Sequence, residues 1–207
     1  MKTIGASLLI IAVFLHTSSY AQNPSLQNRS MVRIGLGFWG GSGSAASSVF
    51  AGVQTEAKTG AFLGNLSYNY GVADNMAFFL EGGVVAAQAN SSVAAGKVSS
   101  QASAVGSLLA GIRLYVPDTR SALRPFVSAG LGAFLGMEAS NTAFSQTAHT
   151  ENAFGGRLGV GVDCFVGNHL LLGIEGGYSV MTDFATPVSG RKNFSGAGMT
   201  LNFGVLF

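Results

Sequence analysis

Strict two-residue alternation, repeated in segment after segment, constrains this chain more than any other feature. In "PFVSAGLGAFLGME" the odd positions are Val127, Ala129, Leu131, Ala133, Leu135 and Met137, and none is polar. The even positions are Phe126, Ser128, Gly130, Gly132, Phe134, Gly136 and Glu138. A period of two puts successive side chains on opposite faces of a strand. The same split recurs further along. Leu170, Leu172, Ile174, Tyr178 and Val180 oppose Leu171, Gly173, Glu175, Gly177 and Ser179, while Leu108, Ala110, Ile112 and Leu114 oppose Ser107, Leu109, Gly111 and Arg113. One face is apolar throughout. The other is mostly small, with isolated charges.

Composition decides which face meets water. A soluble sandwich or lipocalin-like barrel keeps its apolar face inside and covers the outside with Lys, Glu and Thr. Here only 10% of residues are charged and 48% are hydrophobic, against about 25% charged in an ordinary soluble domain. A face of Gly, Ala and Ser suits a narrow lumen better than a solvated surface. The chain after residue 21 holds no apolar run long enough for a spanning helix, and its glycines (all of the chain's 30 but Gly5), spread throughout the periodic segments, argue against long helices. A sheet closed on itself is the other way to cross a bilayer, because it leaves no backbone group unpaired in lipid.

Eight alternating segments are expected near 31–41, 59–70, 76–89, 102–116, 125–138, 154–166, 170–183 and 196–207. Their connections alternate in kind. Residues 71–75, 117–124 and 167–169 are short and rich in turn formers. Residues 42–58, 90–101, 139–153 and 184–195 are longer and rich in Ser, Ala, Thr, Asn and Gly. Short turns at one rim and long loops at the other fit an outer-membrane barrel, with both chain ends on the periplasmic side. The fold class expected is all-β: an eight-stranded antiparallel transmembrane β-barrel over 22–207. Residues 1–21, "MKTIGASLLIIAVFLHTSSYA", read as a secretory signal peptide, with Lys2, an apolar run from Ile4 to Leu15, and small Ser19 and Ala21 before the cut. A formal charge of +2, of which Lys2 leaves with the signal, gives no argument for nucleic acid. One cysteine, Cys164, excludes an intramolecular disulfide framework.

The strand parity places Arg33, Glu81, Arg113, Glu138, Arg157, Asp163 and Glu175 opposite the apolar face. A basic side chain on the lipid face near the midplane costs about 2–4 kcal/mol, so these residues are expected to form a lumenal charge network. Glu138 and Arg157 are expected near the outer end of one hairpin, within pairing distance. Arg33, Arg113 and Asp163 are placed toward the periplasmic end, with Glu81 and Glu175 nearer the middle. Aromatics on the apolar parity near strand ends, such as Phe38, Tyr68 and Tyr70, suit an interfacial girdle.

Catalytic candidates are few. His169 sits in a tight turn. His149 lies beside Glu151 in the third long loop, but a nucleophile would also have to come within reach. The acids are scattered singly, with no calcium-loop spacing. No catalytic, cofactor or metal site is expected. Cys164 falls on the apolar parity, where packing or lipid contact suits it.

The passages "LRPFVSAGLGAF" (123–134), "VGNHLLLGIEGGYS" (166–179) and "MTLNFGVLF" (199–207) resemble the small outer-membrane β-barrel family of the OmpA transmembrane-domain and OmpX type. The resemblance spans nearly all of 31–207. It implies insertion into the outer membrane of a Gram-negative cell, contact with its lipid and lipopolysaccharide, and a monomer. It also implies that Phe203 and Phe207, in a last strand ending on Phe, form the signal read by the outer-membrane insertion machinery. Members of the family do different things on one barrel. The periplasmic peptidoglycan-binding domain of longer OmpA relatives is not expected here, because the chain stops with the eighth strand. Barrel lipid A deacylases carry a His-x-Ser pair, which this chain lacks. A non-enzymatic barrel with a plugged polar lumen and four surface loops for envelope structure or adhesion is therefore expected. A narrow porin-like channel is the alternative, a lipid-modifying enzyme comes behind it, and no extracellular partner is named.

Overall fold

The computed structural model describes residues 25–41, 48–50, 53–55, 60–94, 97–117, 122–142 and 145–207. The signal peptide expected over 1–21 lies outside these. The alternating segments become eight strands: β1 (Ser30–Gly41), β2 (Gly60–Ala73), β3 (Met76–Ala94), β4 (Lys97–Tyr115), β5 (Leu123–Thr142), β6 (Ser145–Val166), β7 (Leu170–Met181) and β8 (Gly196–Leu206). Each pairs antiparallel with its chain neighbour, and β8 pairs with β1 from Met31↔Leu206 to Gly41↔Gly196. The sheet is a closed, eight-stranded, all-β barrel, and Ser30 and Phe207 exchange reciprocal backbone hydrogen bonds of 2.9 Å at the seam. Closure leaves no open edge, which is what lets a sheet sit in hydrocarbon.

Two of the expected loops are largely strand. β3 and β4 stay paired out to Ala94↔Lys97, and β5 and β6 out to Thr142↔Ser145. The ladders therefore run well past the nine to eleven residues or so that a tilted strand needs to cross a bilayer. The sequence hides this extension, because Ser, Ala, Asn and Gln in these stretches carry neither a clean apolar alternation nor a strong turn signal. Residues 117–124 are likewise not all turn, since β5 begins at Leu123. Between β1 and β2, residues 48–50 pair with 53–55 as a small separate hairpin.

The faces divide as the alternation requires. Phe38, Leu131 and Phe154 are more than 70% exposed, whereas Arg33 and Asp163 on the other face are at 1% and 0%. In water such an apolar exterior would aggregate; in lipid it is matched. Inside, two apolar clusters lie at opposite ends of the barrel. Trp39, Leu63, Leu109, Phe134, Phe184, Val188 and Phe194 pack at the outer end. Leu26, Met31, Tyr115, Phe126, Phe165, Leu171 and Leu206 pack at the periplasmic end. Arg33, Arg113, Arg157, Glu81, Asp163 and Glu175 lie between them.

Candidate functional site

The middle of the lumen is a layer of three guanidinium–carboxylate pairs. Arg33 on β1 donates from Nη1 and Nη2 to the two oxygens of Asp163 on β6, at 3.1 Å each. The Tyr115 hydroxyl donates to the same carboxylate at 2.9 Å. Arg113 on β4 donates to Glu175 Oε2 at 3.0 Å and to Asn69 Oδ1 at 2.8 Å. Arg157 on β6 donates to Glu81 Oε1 at 2.8 Å, and its Nη2 stands 3.9 Å from Glu175 Oε1. Ser128 donates to that same Oε1 at 3.1 Å. Phe126 packs its ring 4.5 Å from the Arg113 guanidinium and 5.4 Å from that of Arg33. Three positive and three negative groups thus cancel, as burial demands.

Glycine on the lumenal parity makes room for this layer. A Cβ on Gly173 would fall 2.2 Å from Asp163 Oδ1. One on Gly159 would fall 2.5 Å from Ser128 Oγ and 2.7 Å from Glu175 Oε1. The bare second face seen in the sequence is the space the long side chains fill.

Glu138 is not part of the layer, and the expected Glu138–Arg157 pair does not form. Glu138 lies opposite His149, while Arg157 lies opposite Gly130. Glu138 and Gly130 are eight residues apart on β5, about 26 Å along a strand at roughly 3.3 Å per residue. The ladder continues to Thr142↔Ser145, inside the loop expected over 139–153, and this sets the register. Glu138 Oε2 instead accepts from the Ser189 backbone N–H at 2.7 Å. A fourth arginine also points inward: Arg124, hidden in what reads as a turn, lies 5.1 Å over the Phe165 ring.

Residues 182–195 fold into the outer mouth. The Phe184 N–H donates to Lys192 O at 2.7 Å, and Val188 bridges Arg191 across a turn that puts Ser189 and Gly190 at positive φ. Phe184, Val188 and Phe194 are almost wholly buried. Phe194 stacks 5.9 Å from Trp39 and 6.1 Å from Phe184. Neutral hydrogen bonds hold the base of this segment, from Met181 N to Ser195 Oγ at 3.0 Å and from Asn193 Nδ2 to Met181 O at 2.9 Å. Glu151, on the outer extension of β6, has its carboxyl held below the usual range, first by a hydrogen bond with the Thr186 side chain.

At the periplasmic mouth, residues 25–29 fold across the opening and bury Leu26. Asn28 N donates to Gly71 O at 2.8 Å, and Gly71 N to Arg29 O at 2.9 Å. Ser25 donates to Asp74, and Arg29 Nη2 to Asn168 O at 2.9 Å. Sequence reasoning missed both insertions. The available signal was slight: one leucine in "NPSLQNR", and three bulky apolar residues around a Ser-Gly turn in "FATPVSGRKNF".

Between the outer insertion and the charged layer lies a cavity of about 40 Å³. Trp39, Leu63, Phe134 and Phe194 form its apolar wall, and Glu81 and Arg157 its base. Among the described residues, Ser103 Oγ, Arg113 Nε and Arg157 Nη2 are buried side-chain atoms without a hydrogen-bond partner.

His149 Nε2 lies 2.8 Å from Glu151 Oε1, with the imidazole half exposed. Among the described residues no group of three or more His, Cys, Asp or Glu is placed to hold a metal ion. Phe38, Tyr68 and Tyr70 are exposed on the outer face, and Cys164 is half-buried. Phe203 and Phe207 are exposed on the same outer face, Phe203 between Ile34 and Leu172.

The fold is shared with solved bacterial outer-membrane proteins. The attachment invasion locus protein Ail of Yersinia pestis, in its complex with the heparin analogue sucrose octasulfate, aligns with a TM-score of 0.57 at 12% identity, covering 87% of this chain and 99% of that one. Neisserial surface protein A aligns at 0.51 and 14% identity, covering 87% and 96%. OprG of Pseudomonas aeruginosa aligns at 0.50 and 16% identity, covering 89% and 98%. No curated protein matches the chain significantly by sequence. The family described as the outer membrane protein beta-barrel domain matches residues 7–207. The chain therefore belongs to the outer membrane protein beta-barrel domain family, whose setting is the Gram-negative outer membrane.

Proposed function

We propose that this protein is a non-enzymatic outer-membrane barrel whose lumen is closed, and whose outer hairpins and loops serve envelope structure or adhesion. The observation that carries the reading is the filling of both mouths. Phe184, Val188 and Phe194 occupy the outer one and Leu26 the periplasmic one, with three buried ion pairs between them. An eight-stranded barrel has an interior that side chains can just fill, and here they do so with few gaps. With transport disfavoured, the parts left to act are the long ladders of β3–β4 and β5–β6, which project beyond the span a bilayer requires. Ail is by its description an attachment and invasion protein, which is consistent with adhesion as a use for such a surface.

The proposed life of the chain follows the same reading. Residues 1–21 act as a cleaved export signal. Phe203 and Phe207 mark the last strand for the insertion machinery, and the barrel works as a monomer against outer-membrane lipid and lipopolysaccharide. The alternative, a narrow channel for small solutes, draws on the outer cavity and on the glycine-lined wall around it. Planar-bilayer recording of the refolded protein separates the two. The closed barrel should give no discrete steps above baseline, whereas steady, sizeable single-channel steps would sink it.

A further inference from the structure

An outer-membrane barrel ordinarily keeps its interior polar. Here the outer third of the lumen is apolar and aromatic, and what fills it comes from a surface loop. Phe194 lies against Trp39 at 5.9 Å, with a 30° tilt between the rings, a common arrangement for two aromatics. Directly below is the 40 Å³ cavity, based on Glu81 and Arg157. That volume admits about three or four waters, at about 10–15 Å³ each, and nothing larger while Phe194 is seated. The Arg157 side chain is nine-tenths buried and lines the cavity. Its Nη1 donates to Glu81, and its Nη2 has no hydrogen-bond partner, Glu175 Oε1 lying at ion-pair distance, 3.9 Å, but too far for a hydrogen bond. An aromatic slot above a buried donor that makes no hydrogen bond is a binding site in outline, with a residue of the protein itself standing in it.

We propose that the outer third of the barrel binds a small uncharged molecule carrying one ring and one hydrogen-bond acceptor, which takes the place of Phe194 on Trp39 and is anchored by Arg157 Nη2. The ring follows from the slot that Phe194 now fills. The acceptor follows from the unpartnered N–H. Neutrality follows from the charged layer: Arg33, Arg113 and Arg157 balance Glu81, Asp163 and Glu175, so a charged guest would be buried without a counterion. Binding and loop position are then one equilibrium. The protein is competent only in the fraction of molecules with Phe194 withdrawn, and the apparent affinity is weakened by that fraction.

This rests on the closed-lumen reading, and the test tells the two apart. Trp39 is the single tryptophan of the chain, so its emission reports on the slot alone. The full barrel is refolded into lipid nanodiscs, and acrylamide quenching is measured first without a guest. Free quenching would overturn the closed mouth and the pocket together. Given protection, benzyl alcohol and toluene are titrated as probes. The pocket requires a saturable change in Trp39 emission with benzyl alcohol, at lower concentration than with toluene. Phe194→Ala should lower the saturating concentration about tenfold or more, and Phe194→Leu, which keeps the plug but not its ring, should fall between. The charge-balanced pair Arg157→Met with Glu81→Gln should erase the preference for benzyl alcohol over toluene. A response that rises linearly without saturation, alike in wild type and Phe194→Ala, would overturn the pocket while leaving the closed mouth standing.

Discussion

Replacing Asp163 by Asn tests whether the middle of this barrel is a dry, charge-balanced layer. Asp163 is 0% exposed and accepts three hydrogen bonds, two from Arg33 at 3.1 Å and one from Tyr115 at 2.9 Å. Asn keeps the shape and removes the charge. Arg33, itself 1% exposed, is then left with Glu175 at 4.0 Å as its nearest anion, and Glu175 already serves Arg113. Breaking a buried ion pair from one side costs about 3–5 kcal/mol, because the other charge stays buried and unpaired. That is a loss of roughly two to nearly four powers of ten in the folded-to-unfolded ratio, at about 1.4 kcal/mol per power. Removing both partners, as in Arg33→Met with Asp163→Leu, should restore most of the loss, because apolar replacement of a whole buried pair is often close to neutral. The assay is urea unfolding of the barrel in phospholipid vesicles, read by heat-modifiable gel migration and by Trp39 emission. If Asp163→Asn costs less than about 1 kcal/mol, the range of a solvated pair, and the double variant does no better, the lumen is wet and the buried-layer argument fails.

Three other expectations follow from the ends of the barrel. A Cβ on Gly71 would fall 1.9 Å from the Leu26 carbonyl oxygen, so Gly71→Ala should unseat residues 25–29 at a cost of about 1–3 kcal/mol, in the usual range for a local steric lesion. Protease trimming before Ser30 should then speed up while the barrel ladder stays intact, and unchanged trimming would refute the cap. Deleting Phe207 should slow outer-membrane insertion more than Met199→Ala does, and equal insertion of the two would reject Phe207 as an assembly signal. The Glu151 carboxyl is held low chiefly by its bond with Thr186. Its hold on the 182–195 segment is therefore present at neutral pH and lost as pH falls through that lowered value, below the normal carboxylate range. Limited proteolysis within the segment should rise in that acidic window, and Glu151→Gln should flatten the profile; identical profiles for the two proteins would dismiss the link.

Much of the architecture is legible in the sequence because the strand period is a whole number of residues. Once Val127, Leu131 and Leu135 are assigned to one face, Ser128, Phe134 and Glu138 must take the other, without reference to any distant residue. The same parity places Arg33, Arg113, Arg157, Glu81, Asp163 and Glu175 on the inner face, and the low charge content turns the apolar face toward lipid. These are local facts about a repeating backbone. The partners are not local. Arg33 meets Asp163 across 130 residues of chain, and Arg157 meets Glu81 across 76, through strand tilt and stagger that no single segment encodes. Even within one hairpin, the position of the turn moved Glu138 away from Arg157 and onto Ser189. Closure decided the rest. Only when β8 had paired with β1 did two open rims exist to be filled, and only then did Leu26, Phe184, Val188 and Phe194, unremarkable in polar stretches of sequence, have an apolar place to go.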